Sequence, residues 1–277
     1  MSFNGDGWVI GQQVGDERRL FEMPRELFTD LEIGQNIGLA MDVETTGLDH
    51  DEDEIIAFGY VKFTFDDSCR ITSVIEANQF FNEPSKEIPE EITKLTGITM
   101  DQVKGHSLTK EMLDKIYDGV EISIAHNAKF DRKFIDKHYR SDIIWGCSNA
   151  DLDLRGKYTI PSGSLGVVMA YVKDWYFGHH DALEDCWALI HLLNTDDHLK
   201  EIIEKAFIPN YNVFATGSPF EMKDILKNRG YKWMGDTVKC WYYPRADEEK
   251  MNEEADWLKE NHVNPNIVEI SRFDRHL

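Results

Sequence analysis

Three segments of strand character follow one another between residues 37 and 81, and this succession constrains the chain more than any other feature. Residues 37–43 (IGLAMDV) form a short apolar run stopped by the turn pair Thr46-Gly47, while residues 55–65 and 71–81 are rich in aromatic and β-branched side chains. The pattern then changes to alternation of strands and helices. Residues 82–110, rich in Pro, Gly, Thr and Glu, read as loop with short helices. The spacing predicts a helix over 108–117, a buried strand over 120–125, a helix over 126–139, a strand over 143–147, and helices over 164–172 and 182–193. Three strands in a row followed by such alternation predict an α/β or α+β sheet domain ending near residue 200.

The flanks read differently. Residues 1–36 are an N-terminal extension with a short helix expected around 24–31. Residues 213–277 predict a small α+β module: a helix over 220–228 with Gly230 past its end, a hairpin of 231–234 and 237–243 closed by Gly235 and Asp236, a helix over 253–261 and a last strand over 267–270. The Pro- and Gly-bearing stretch 209–219 reads as the linker. The main domain is accordingly expected over 37–205. Neither a signal peptide nor an apolar run of the ~20 residues that span a bilayer is evident, which predicts no membrane association. Four cysteines, Cys69, Cys147, Cys186 and Cys240, are widely spaced without a C-x-x-C pair, which suits a reducing cytoplasm.

Charge narrows the function. With 51 Asp and Glu against 30 Lys and Arg the net charge is −21, which argues against binding nucleic acid or anionic lipid by bulk positive charge. It leaves room for an enzyme that grips phosphates through divalent cations, because such a site is built from carboxylates.

Three clusters carry candidate chemistry. Asp42 and Glu44 stand two apart at the end of the first strand, so both carboxylates share one face, as hard ligands for Mg²⁺ or Mn²⁺ would. In a chain this acidic, such a pair is common by composition, and a solvated loop edge is the plainer alternative. His126-Asn127-Ala128-Lys129-Phe130-Asp131 follows a buried strand; Asn127 suits an N-cap, Phe130 and Phe134 a core face, and Asp131 either the helix dipole or a site. In the third cluster, 178–185, Asp181 and Glu184 resemble an acidic capping box. That leaves Asp185 in the first helical turn and His180 just before it, a side chain able to take up a proton near neutral pH or simply to sit at the surface.

The segments DVETTGL (42–48), HNAKFD (126–131) and HHDALED (179–185), together with the lead-in 88–105 and the Trp145-x-Cys147-Ser148 stretch, resemble the signature motifs of the DEDDh, or DnaQ-like, 3′→5′ exonucleases, the family of the ε proofreading subunit of bacterial DNA polymerase III. The likeness covers roughly 37–200. It implies a ribonuclease H-like mixed five-stranded sheet flanked by helices, and two divalent cations, Mg²⁺ or Mn²⁺, held by Asp42, Glu44, Asp131 and Asp185. His180, five residues before Asp185, takes the place of the general base; His179 does not have that offset. Thr45, Thr46, Gly47 and Leu48, with Asn127 and Phe130, fall where the terminal nucleotide binds.

The resemblance implies a 3′→5′ exonuclease on single-stranded DNA that releases nucleoside 5′-monophosphates. The alternatives are an RNA exonuclease of the RNase T or oligoribonuclease type and, from another class, an inactive nuclease-fold scaffold. The acidity asks for an explanation: short or frayed substrates, a basic protein partner or polymerase that presents the strand, or a high-salt cell. Ten Lys and Arg against twelve Asp and Glu in 213–277 leave 20 against 39 in the rest, so the excess lies outside the tail. Tail lysines interleave with Tyr231, Trp233, Trp241, Tyr242 and Tyr243, a pattern that suits either a module core or a single-strand surface.

Overall fold

A computed structural model describes residues 2–3, 8–9, 19–27, 32–138, 143–235 and 238–277. The strand-forming runs pair as one five-stranded sheet. Strand β1 (Asn36–Thr45) lies antiparallel to β2 (Ile55–Phe65), and β2 antiparallel to β3 (Ile71–Phe81). Short β4 (Ile122–Ala125) runs parallel to β1, and β5 (Ile144–Cys147) parallel to β4, giving the order β3-β2-β1-β4-β5. Direction follows from the connections: short turns can only return a strand antiparallel, whereas β4 and β5 are each reached through helices.

Helices cover both faces. Leu39, Met41 and Val43 of β1 project into a core shared with Leu113 and Ile116 of α1 (Lys110–Tyr117), Phe134 and Ile135 of α2 (Ala128–His138), and Trp145. Alternate residues point the other way. There, beyond α3 (Leu165–Val172), α4 (Ala182–Leu193) crosses β1 and β2. All eleven residues of β2 are buried as a result. These elements belong to a compact unit of Met1–Lys205 with His276–Leu277. The expected mixed five-stranded sheet flanked by helices is the fold observed.

Part of the N-terminal extension serves this unit. Arg19–Glu22 pairs in parallel with Trp175–Tyr176, the Pro24 carbonyl meets His191 Nε2 at 2.8 Å, and Arg25 pairs with Glu184. The helix expected around 24–31 is absent over 24–27, where Pro24 instead holds an irregular segment against α4; 28–31 lie outside the described residues.

The second compact unit is Ala206–Arg275. Its four antiparallel strands, β6 (Asn210–Thr216), β7 (Lys232–Met234), β8 (Cys240–Ala246) and β9 (Asn264–Ile270), take the order β7-β8-β6-β9. Val213, Ala215 and Ala246 pack with Leu258 of α5 (Glu248–Glu260), while Tyr231, Trp241 and Tyr243 join the same core. Trp233 stays 52% exposed. The stretch read as a linker is therefore strand β6; Pro209, Gly217 and Pro219 punctuate its ends. The hairpin is also wider than expected, since Met234 pairs with Cys240; Asp236 lies outside the described residues.

Candidate active site

The end of β1 is where the sheet opens. Parallel pairing to β4 stops at Ala40↔Ile124, so beyond it the Val43 N–H is met by a side chain, Asp131 Oδ1 at 3.2 Å. Asp131 enters from the first turn of α2, which leaves β4 directly beside this gap. On the other edge the pairing slips between Glu44 and Thr45 (Glu44↔Ala57, Thr45↔Ile55), a bulge at the point where β1 turns away. Thr45 Oγ1 then donates to the Gly47 carbonyl at 2.6 Å.

Asp185 arrives from α4. Asp181 caps that helix by accepting from Leu183 N and Glu184 N at 3.2 and 3.1 Å, but Glu184 turns to Arg25, so only one half of the expected capping box forms. Gln79 Oε1 also accepts from Leu183 N at 3.0 Å, tying the helix start to β3. Gly59, paired with Asp42 across β2, lets the backbone of Ala182 come so close that a Cβ would collide with it. This approach sets α4 down beside Asp42. Carboxylate oxygens of Asp42, Glu44 and Asp185 lie within 4.8 Å of one another. Asp131 adjoins them, and its charge is felt by both Asp42 and Glu44.

This proximity has an electrostatic cost. Burial, then repulsion from Asp185, Asp131 and Asp181, pushes Glu44 up to about 8. Asp42 is held well above the ordinary carboxylate range by burial and by Asp131, Asp185 and Glu44. Burial lifts Asp131 to about 7 against the opposing hydrogen bond from Val43, and lifts Asp185 to about 7 against that from His180. Hard oxygen donors crowded into one poorly solvated place are a set that a divalent cation fits, because its charge relieves both burdens.

The acids lie in a 720 Å³ cleft. Thr45, Gly47, Leu48, Asn127, Phe130 and both His179 and His180 line it. Thr46 does not: its hydroxyl is spent on Asp53 Oδ1 and Glu54 N, both at 3.0 Å. The two histidines separate clearly. Both are exposed; His180 has a left-handed φ of 62° and donates its N–H to Asp185 Oδ2 at 3.0 Å. The His179 ring packs over Gly166 and lies 4.3 Å from that of Phe177, with its pKa lowered by burial and by His180.

Other contributors carry no role in the sequence reading. His126, the first residue of the HNAKFD segment, bridges Ser148 Oγ and the Gly163 carbonyl, each at 2.7 Å, which ties together three segments of the cleft wall. Ile92, Leu95 and Thr96, from the helix Glu90–Thr96, also line the cleft. Gly59 was visible as the one glycine in an aromatic and β-branched strand.

Comparison with known proteins agrees with this geometry. The exonuclease family RNase T matches residues 39–193. DNA polymerase III of PolC type from Thermotoga maritima is 30% identical over 253 residues, 84% of this chain and 18% of that protein. The PolC-type polymerase of Caldanaerobacter subterraneus subsp. tengcongensis is 37% identical over 157 residues, 54% of this chain and 11% of that protein. The chain thus spans less than a fifth of these relatives' length. E. coli exonuclease I, solved with a dT13 oligonucleotide, shares the fold at a TM-score of 0.50 and 15% identity, over 66% of this chain and 49% of that one. A family match that spans more than half the chain and contains all three acidic motifs makes it a member of the RNase T exonuclease family, the metal-dependent 3′→5′ nucleases of DEDDh kind.

Proposed function

We propose that this chain removes nucleotides from the 3′ ends of single-stranded DNA and releases nucleoside 5′-monophosphates. The observation that carries the reading is the convergence of Asp42, Glu44 and Asp185, with Asp131 beside them, in a cleft that raises the pKa of each. In this reading the four carboxylates hold two divalent cations, Mg²⁺ or Mn²⁺. Bound there, the cations would neutralise charge on the phosphate and make water easier to deprotonate. His180 is the general base that takes the proton from the attacking water as the bond between phosphorus and the 3′ oxygen of the preceding nucleotide breaks. Its backbone N–H bond to Asp185 places His180 next to one of the acids, whereas the His179 ring is packed against Phe177 and Gly166.

Thr45, Gly47, Asn127 and Phe130 line the pocket for the terminal nucleotide, and Thr46 supports it through the turn. Leu48, 85% exposed, presents an apolar surface that a base can cover. DNA is favoured over RNA because the PolC-type relatives are DNA polymerases by name, and the same names support a polymerase as the partner that presents the strand. The test is degradation of 5′-labelled DNA and RNA oligonucleotides with Mg²⁺ or Mn²⁺, beside Asp42→Ala. A DNA ladder lost in the variant supports the proposal, a ladder on RNA alone moves the substrate to RNA, and no ladder on either overturns it.

A further inference from the structure

Helix α2 carries Lys129, Lys133 and Lys137 at successive steps of four, and so along one face, with a rise of ~6 Å between neighbours. Among the described residues none of the three makes an ion pair. On other helices Lys94, Lys110, Lys200 and Lys205 each face an acid four residues away. On α2 the one acid within that reach, Asp136, is taken by Arg132 at 3.2 Å. Three like charges spaced this way repel one another, and among the described residues no acid pairs with them.

The ridge borders a cavity. A 220 Å³ groove is lined by Leu48, His50, Lys129, Phe130, Lys133 and Phe134, together with Asn127. Leu48, Asn127 and Phe130 also line the main cleft, so the two spaces adjoin across a shared wall. The half-buried Phe130 ring gives the groove an apolar floor; it packs 5.0 Å from the core ring of Phe134, and the Lys137 ammonium lies 5.8 Å from the Phe134 ring centre. A groove with an aromatic floor and a cationic rim, beside the acid-lined cleft, suits the backbone and bases of a nucleic-acid strand.

We infer that this groove holds the nucleotides on the 5′ side of the terminal one, with Lys129 and Lys133 meeting their phosphates and Lys137 extending the track. The inference rests on the exonuclease reading and deepens it. It also answers the charge problem locally: an acidic body needs only one basic lane leading to the cleft.

The experiment compares turnover of a mononucleotide, thymidine 5′-monophosphate p-nitrophenyl ester, with that of 5′-fluorescein-labelled dT8, using Mn²⁺, in wild type, Lys129→Ala/Lys133→Ala and the distant Lys115→Ala. The ester is too short to enter the groove. The expected result is a fall of about tenfold or more in the ratio of kcat/KM on dT8 to that on the ester, carried by KM, in the double variant alone. The salt dependence of dT8 affinity by anisotropy should become shallower by about 1.4 in log–log slope, two contacts at about 0.7 each. An unchanged ratio and slope overturn the groove while leaving the exonuclease standing. If wild type cleaves neither substrate, anisotropy still decides: dT8 binding that the double variant loses supports the groove although the exonuclease reading fails, and binding that is absent or equal in both overturns it.

Discussion

Among the described residues two acidic clusters offer three ligand groups within 4.8 Å of one another, and they behave differently. One is Asp42, Glu44 and Asp185 in the cleft; the other is Asp49, His50 and Asp51 on the loop that follows β1. In the loop Asp51 is exposed to water, 3.7 Å from His50, and the neighbouring acids are spent on the chain itself. Asp49 Oδ1 accepts from Asp51 N at 3.0 Å, Asp53 Oδ2 from Asp49 N at 2.9 Å, and Glu54 Oε1 from Ser85 N at 3.0 Å. In the cleft, burial and mutual repulsion dominate, and Asp131 and Asp185 each receive one backbone N–H. Closely spaced acids thus make a loop where amides and water meet them, and a cation site where they do not.

The largest expected effect separates the clusters by activity. Asp42→Asn keeps size and shape but removes a ligand charge, and should lower the single-turnover rate on a labelled oligonucleotide by about a thousandfold or more. Asp51→Asn should leave that rate within about twofold, since its carboxylate is exposed and solvated. Equal losses would erase the distinction.

Stability against pH sharpens it next. Glu44 rises from 4.5 to about 8, and Asp131 and Asp185 from 3.8 to about 7, so the folded chain without metal keeps protons that the unfolded chain releases. Stability is then greatest below the unfolded values and falls as pH rises through the interval up to about 7–8. In EDTA the melting temperature should drop by roughly 5–10 °C between pH 5 and pH 8, and Mn²⁺ should cancel most of the drop. Glu44→Gln should flatten the EDTA profile and Asp51→Asn should not. A slope that survives Glu44→Gln, measured by thermal denaturation, would assign it to other groups.

What the sequence disclosed follows the range of the forces involved. Strands 55–65 and 71–81 and helix 182–193 end where their patterns end, because unbroken periodicity is local information. Taken singly, the acids at 42, 44, 131 and 185 each kept a plainer explanation; the resemblance of three motifs to one family made them legible as a set, and the structure brings them together. Residues 209–219 misled because Pro and Gly mark strand ends as readily as linkers. Thr46 misled for a related reason: neighbouring turn residues divide their work, and only contact with Asp53 shows which one faces inward. The spacing of the lysines on α2 and the segment 88–105 are local, but that both border the cleft or its neighbouring groove is tertiary, visible only once distant segments are adjacent.

Gly59 tests whether the cleft acids depend on one tertiary approach. Gly59→Ala places a methyl against the backbone of Ala182, which cannot yield as a flexible side chain would. Overpacking of this kind costs about 1–3 kcal/mol. Here it should also move Asp185 away from Asp42, with roughly tenfold loss of activity and weaker Mn²⁺ binding by calorimetry. Lost stability with unchanged Mn²⁺ affinity would show that Asp185 is held by its cap and by Gln79 alone.

The smallest effect probes the loop cluster on its own terms. Asp53 accepts from Thr46 Oγ1 at 3.0 Å and from Asp49 N at 2.9 Å, and its carboxylate lies under Gly47, which lines the cleft. Asp53→Ala removes two partly solvated hydrogen bonds, about 1 kcal/mol in all. If the loop acids act by folding the turn, this change should raise KM for an oligonucleotide about two- to threefold through Gly47 and Leu48, with kcat and Mn²⁺ affinity unmoved. A parallel loss of Mn²⁺ affinity would mean that the two clusters share one electrostatic field, and that burial is not what separates a cation site from a turn.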